Sequence, residues 1–368
     1  MAQAINNKDV SDVKDKKRIL DSMKNSLKKK WGAEVIRDAV AEKVASITSG
    51  SPILDAALTG AGYPEGRFVE IYGDESSGKT TLVTLALKAA QDKYPDKIVG
   101  FIDVEHAFNV PYANALGLNT SEERFMFAQP NSAEEALEIL EAFCNTGMFS
   151  AIGFDSIGGL VTQQQLDKGI DEETMGSLAK VLSKSASRLH TAANDTGTLV
   201  LWINQTRNKI VMMGNPETVS GGKTLPFFHS VRLRIRRTNI VMDKGIPIGQ
   251  EVEIKVIKNK VGNPFGVINT SLFFGIGFDK YRETVEVALE NGTLFGSGAW
   301  TYWKKGTPDE IKWNGKAMCI QYMRDNLDDF NELYSATMGT HQTKIDINIA
   351  NETDETTGLT NAEVQNVE

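Results

Sequence analysis

The chain of 368 residues is short of several things. It has two cysteines, Cys144 and Cys319, far apart in sequence and with no metal-ligand partner beside either. That argues against a disulfide framework or a zinc site and fits two reduced thiols in a cytoplasmic protein. No run approaches the roughly 18 apolar residues of a membrane span. The first 30 residues are rich in Lys and Asp and lack an apolar core, so no secretory signal is expected there. Internal repeats and low-complexity tracts are missing as well. What remains is ordinary: 41% hydrophobic and 24% charged residues, enough for two or three domains.

The net charge of −8 is weak ground for excluding a nucleic-acid partner, because it is unevenly placed. Residues 1–43 hold eleven Lys/Arg against seven Asp/Glu, whereas residues 339–368 hold one Lys against six acids. Arg232, Arg234, Arg236 and Arg237 crowd together. Local patches, not the sum, set a footprint on DNA.

The strongest motif is Gly73-Asp74-Glu75-Ser76-Ser77-Gly78-Lys79-Thr80, a G-x-x-x-x-G-K-[ST] phosphate-binding loop. Its glycines let backbone N–H groups turn toward phosphates, Lys79 supplies a charge for the β- and γ-phosphates, and the Thr80 hydroxyl suits Mg²⁺. Phe68–Tyr72 reads as a strand leading in and Thr81–Tyr94 as a helix leading out, its dipole favouring an anion.

From 66 to about 280, strand and helix patterns alternate. Strands are expected at 98–102, 151–154 and 199–203, and helices at 132–143, capped by Ser132, and at 175–193. Alternating 231–236 and 251–256 suggest exposed antiparallel strands. The expected fold class is α/β, with a mostly parallel sheet and helices on both faces. Around this core (46–280) lie a basic helical arm at 1–45, a small α/β domain at 281–338 and a disordered acidic tail at 339–368. The arm's Ile19, Leu20, Met23 and Leu27 fall at helical spacing. They fit a subunit contact and an ordinary charged helix equally well.

Ligand groups in a parallel sheet gather at strand carboxyl ends. Lys79, Glu105, Asp155 and Gln205 occupy such places. Asp155 ends an apolar strand, as a carboxylate supporting Mg²⁺ does, although a helix cap is the alternative. Glu105 is placed to act as general base, or is a plain surface carboxylate. Segments 163–176 and 206–224, the second carrying Arg207, Lys209 and Lys223, read as functional loops or as flexible surface.

These residues stand in a larger pattern. Ile47–Gly50, Val69–Gly73, Glu75–Leu82, Phe101–Ala107, Ile203–Gln205, Gly214–Thr218, Ser230–Leu233 and Lys258–Lys260 resemble, in order and spacing, the RecA family of strand-exchange recombinases. The likeness runs from about Ser46 to Trp303. It implies a DNA-dependent ATPase that forms a helical filament on single-stranded DNA and pairs it with homologous double-stranded DNA, with ATP and Mg²⁺ between protomers. By that resemblance Gly73, Glu75, Ser76, Ser77, Gly78, Lys79, Thr80 and Thr81 cradle the triphosphate, and Thr80 and Asp155 hold the metal. Tyr112 stacks on adenine, Glu105 activates water, and Gln205 reads the γ-phosphate. Lys258 and Lys260 reach a neighbour's ATP. Met175, Gly176, Lys180, Arg207, Lys209, Met213, Gly214, Asn215, Gly221 and Gly222 face DNA, and the acidic tail competes with it.

The chain departs from that pattern at Asp74, where proline is usual, at Asn109 for aspartate, at Lys180 for arginine and at Met213 for phenylalanine. Two other readings share the core. One is a ring-forming helicase-type ATPase, against which Gly214–Thr218 speaks. The other is a non-hydrolysing mediator, which the intact Lys79, Thr80, Glu105 and Asp155 oppose.

Overall fold

The computed structural model describes residues 13–32, 36, 44–58, 60–167, 176–208, 217–219 and 225–339. The chain divides into two compact units, Met1–Lys43 and Val44–Glu368. In the first, α1 (Val13–Trp31) ends on Lys28, Lys29 and Lys30, which complement the negative end of the helix dipole. Ile19, Leu20 and Met23 of its apolar stripe are exposed. The acidic tail expected at 339–368 lies, apart from Gly339, outside the described residues.

The second unit opens with β1 (Ser46–Ile47), α2 (Pro52–Leu58) and β2 (Tyr63–Pro64), β1 pairing antiparallel with β2. A large sheet follows: β3 (Phe68–Gly73), β4 (Ile98–Asp103), β5 (Phe125–Ala128), β6 (Phe149–Asp155) and β7 (Leu199–Asn208), with β8 (Glu217–Val219) paired to the end of β7. It continues through β9 (Val231–Asp243), β10 (Ile246–Asn259), β11 (Val267–Phe273) and β12 (Gly277–Phe278). The order across the sheet is β12-β11-β10-β9-β3-β7-β6-β4-β5. From β9 to β5 all neighbours are parallel, and β9 through β12 are antiparallel.

Helices cover both faces. The helices are α3 (Lys79–Lys93), α4 (Val110–Ala115), α5 (Ala133–Asn145), α6 (Gln163–Asp167), α7 (Ser177–Thr196) and α8 (Leu225–Phe228). Strand alternation sorts the core: Val69, Ile71 and Phe101 pack with Leu82, Val83 and Leu87 of α3. Phe68, Ile102 and Phe154 pack with Leu137 and Leu140 of α5 and Leu189 of α7 on the other side. This is why the parallel strands read as continuous apolar runs. Ser132 caps α5 as expected, its Oγ accepting from Glu135 N at 3.2 Å while Glu135 Oε2 accepts from Asn131 N at 2.8 Å.

Two expectations change. The strands at 231–236 and 251–256 are not exposed: Val231, Leu233 and Ile235 and Val252, Ile254 and Val256 are buried along one face. β9 also lies parallel to β3, inside the sheet. Apolar–charged alternation marks one covered face, not a solvated strand. The loop expected from 206 is partly ordered, since Thr206, Arg207 and Asn208 pair with Val219, Thr218 and Glu217.

Beyond the sheet, α9 (Lys280–Asn291), β13 (Leu294–Ser297), β14 (Trp300–Trp303), β15 (Ile311–Asn314), α10 (Lys316–Asp325) and a helix at 327–339 share a core of Val285, Trp303, Trp313, Met323 and Leu333. Buried Glu283 of α9 joins three elements, accepting from Ser51 Oγ at 2.6 Å and from the Thr270 hydroxyl. Cys144 and Cys319 are free, and burial pushes both thiols up to about 12. Among the described residues no helix is long and apolar enough to cross a membrane.

Candidate functional site

The carboxyl ends of β3, β7, β6 and β4 stand side by side, and the register aligns them: Gly73 opposite Gln205, Phe154 opposite Trp202, Asp103 opposite Asp155. Four segments distant in sequence therefore deliver Lys79, Gln205, Asp155 and Glu105 to one edge of the sheet, the crevice where open α/β sheets hold ligands.

The loop from Gly73 to Lys79 is shaped by two positive-φ residues, Ser76 (φ 56) and Gly78 (φ 100). A Cβ on Gly78 would also lie 2.6 Å from Leu272 Cδ2, so the position is closed to side chains by both backbone and space. Gly73 is required for another reason: a Cβ there would meet Ile235 O of β9 at 2.0 Å. Ser77 Oγ donates to Asp74 O at 2.8 Å, and Lys79 Nζ donates to Gly73 O at 3.0 Å and Asp74 O at 2.6 Å. Burial pushes the Lys79 ammonium below its ordinary pKa, opposed by Asp155, Glu105, Asp74 and Glu75. A chain of negative oxygens delivered to this loop relieves that cost.

Thr80 Oγ1 donates to Asp155 Oδ2 at 2.8 Å. Burial raises Asp155 to about 6; the Thr80 hydrogen bond and Lys79 oppose the rise, while Glu105 and Asp103 add to it. A hydroxyl beside a carboxylate that lacks full charge compensation is a hard-oxygen pair of the kind Mg²⁺ takes. Among the described residues no three His, Cys, Asp or Glu side chains converge on a metal-sized site. Mg²⁺ ordinarily takes its remaining ligands from phosphates and water, so the donor set fits it.

Glu105 is held from two sides: Gln205 Nε2 donates to its Oε1 at 2.8 Å and the Ser156 hydroxyl donates to the same atom. Gly159, in the turn after β6, makes room for this, while Gly158 beside it leaves only ordinary contact distances. A Cβ on Gly159 would lie 3.0 Å from Glu105 Cγ, and one on Gly158 3.7 Å from Gln205 Cβ. Behind Glu105, buried Asp103 accepts from Ala107 N at 3.3 Å and Phe108 N at 3.1 Å, fixing the turn on which Glu105 stands.

Gln205 is anchored from below. Gln205 N donates to Asn204 Oδ1, and Asn204 Nδ2 donates to buried Glu70 Oε1, both at 2.9 Å. Burial alone would raise Glu70, but His229, Arg232 and Asn204 outweigh it and draw the carboxyl down to about 2. Tyr112 is on α4 with its hydroxyl 3.4 Å from Thr81 Oγ1, so it borders the start of α3. Asn109 caps α4, its Oδ1 accepting from Tyr112 N at 2.9 Å. Amide replaces carboxylate there without loss of the cap.

Lys258 and Lys260 are not brought to this edge. Lys258 pairs with Arg232, which pairs with Glu70, three residues before Gly73, and Lys260 N bonds Ser230 O. Their ammonium groups bond Pro226 O at 2.6 Å and Phe227 O at 3.0 Å. Of the residues expected to face DNA, Gly176 (φ 79) begins α7 and Lys180 is exposed on its first turns. Arg207 pairs with Thr218. Met175, Lys209, Met213, Gly214, Asn215, Gly221 and Gly222 lie outside the described residues.

Sequence reasoning passed over Ser156, Asp103, Glu70 and Thr206. The Gly158-Gly159 pair just after a strand was the one local signal of a close approach. The others gain their role only from strand register.

The chain is similar to proteins of one known family. The family described as RecA N-terminal domain matches residues 18–279. "Protein RecA" of Enterococcus gallinarum is 34% identical over 347 residues, 92% of this chain and 97% of that protein. "Protein RecA" of Oceanobacillus iheyensis is 36% identical over 326 residues, covering 88% and 92%. That of Lactococcus lactis subsp. cremoris MG1363 is 37% identical over 325 residues, covering 87% and 82%.

Proposed function

The chain belongs to the RecA family and is a DNA-recombination ATPase, and we propose that it acts as a helical filament on single-stranded DNA that pairs with homologous duplex. The observation that carries the reading is the meeting of Lys79, Thr80–Asp155, Glu105 and Gln205 at four adjacent strand ends.

On this reading the loop 73–81 and Tyr112 bind ATP. Mg²⁺, if held there, would neutralise negative charge on the phosphates. Thr80 and Asp155 hold that position, and Lys79 stabilises charge on the transferred group. Glu105, fixed by Ser156 and Gln205, takes the proton of the attacking water. Gln205 ties the same event to β7 and the segment after it. Lys258 and Lys260, remote from their own chain's loop, serve the site of a neighbouring protomer. The loops near 167–176 and 206–220 contact DNA, chiefly its backbone, so binding is sequence-tolerant and weakens with salt. The arm at 1–45 docks on the next protomer, the core occupies 46–280, the small domain is 281–338, and the tail at 339–368 competes with DNA as a polyanion.

The test is ATP hydrolysis with and without single-stranded DNA, beside a strand-invasion assay with homologous duplex and the Lys79→Ala chain. Turnover is expected to rise strongly with DNA and to vanish in Lys79→Ala. A rate indifferent to DNA sinks the reading.

A further inference from the structure

Asp74 sits where β3 leaves the sheet and the phosphate loop begins. Gly73 is opposite Gln205 in the β3–β7 register, so Asp74 and Thr206 are the next residues across. β3 stops there, but β7 runs on, and Thr206 pairs with Val219 at the root of the β7–β8 hairpin. The two elements stay joined beyond the last ladder pair because the Thr206 hydroxyl donates to Asp74 Oδ1. The main chain of the same aspartate takes Lys79 Nζ at 2.6 Å and Ser77 Oγ at 2.8 Å. One residue thus grips the ammonium of the loop with its carbonyl and the root of the hairpin with its carboxylate. A proline at 74 has no side-chain acceptor and makes no such bond.

We propose that Asp74 and Thr206 form a latch that couples the nucleotide loop to the paired ends of β7 and β8, a positioning link additional to the Gln205–Glu105 contact. Its chemistry suits the task. A negative triphosphate drawn into the loop repels the Asp74 carboxylate, and any shift of that carboxylate is passed to Thr206 through a charge-assisted bond. Linkage makes the effect reciprocal: whatever DNA does to the hairpin acts back on the loop. The proposal rests on the DNA-dependent ATPase reading for its consequence in turnover but not for its effect on the hairpin.

The experiment is a double-mutant cycle in the full chain: Thr206→Val, Asp74→Ala, the two combined, and Thr206→Ser as the conservative control. The first readout is the ratio of ATP turnover with single-stranded DNA to that without. Thr206→Val is expected to lower this ratio about tenfold, the order of one hydrogen bond to a charged acceptor. Thr206→Ser is expected to restore it to within about twofold, and the double variant to match Thr206→Val alone. A Thr206→Val ratio equal to the parent's, or a double variant whose loss is the product of the singles, overturns the latch. The second readout is amide hydrogen exchange across 206–219 on adding a non-hydrolysable ATP analogue with Mg²⁺ and no DNA. Exchange should change in the parent and change clearly less in Thr206→Val, where only the Gln205–Glu105 contact remains. The same response in both, or none in the parent, overturns the proposal. If the parent's turnover ignores DNA, the functional reading fails while the exchange comparison still decides the latch.

Discussion

Glu105 shows how much a single carboxylate depends on its neighbours. Its Oε1 takes two donors, Gln205 Nε2 and the Ser156 hydroxyl, which fix its direction and leave Oε2 for another partner. Glu105→Gln is expected to lower ATP turnover by about 10²- to 10⁴-fold, the range of a positioned general base, with nucleotide binding retained. Steady-state rates beside a nucleotide titration check this, and near-parental turnover removes Glu105 from the role. Ser156→Ala, which removes one of the two donors and keeps the carboxylate, should cost far less. The motif residues were legible because their chemistry is written locally: Gly73 to Thr80 are contiguous, Asp155 ends an apolar strand and Glu105 follows one. Ser156 and Thr206 were not, because their partners lie 51 and 132 positions away and are chosen by register.

Among the elements, α4 makes the sharpest case. It has six residues, too few to hold a helix by propensity, and depends on Asn109 at its start and on packing of Ala113. Asn109→Ala is expected to cost about 1 kcal/mol in urea unfolding, while Asn109→Asp retains the cap. Because α4 carries Tyr112, Asn109→Ala should also weaken nucleotide affinity more than it changes the rate at saturation. No change in either stability or affinity contradicts the assignment. The longer elements were readable from periodicity, and α5 was readable down to its capping serine. The failures came where a strand outran its apolar stretch. β7 continues past Ile203 through polar Thr206 to Asn208, held by backbone pairing to β8 that no side-chain pattern announces. β9 read as exposed because its charged face dominated, whereas Val231, Leu233 and Ile235 are fully covered.

For the whole molecule, Glu283 ties α9 to the segment after β1 and to β11. Burial raises its carboxyl to about 7 from an ordinary 4.5, against hydrogen bonds from Ser51, Thr270 and Ile53. Between those values the folded chain holds a proton that the unfolded chain has released. Stability from this group is therefore present below about 4.5 and is lost as the pH rises to about 7. Comparing urea unfolding at pH 5 and pH 7.5, the parent should lose on the order of 2–3 kcal/mol more than Glu283→Gln. Equal pH dependence in the two chains contradicts it. Nothing in the sequence singled Glu283 out from the other acids of its helix. The placement of Lys258 and Lys260 bears on the assembly itself. If each phosphate loop borrows its lysines from the next protomer, no isolated chain is a whole enzyme. Two inactive proteins, Lys79→Ala and the Lys258→Ala/Lys260→Ala double variant, should then recover hydrolysis when mixed on one DNA. In an equal mixture roughly a quarter of the head-to-tail junctions join an intact loop to intact lysines, and dilution of either chain should extinguish the recovery.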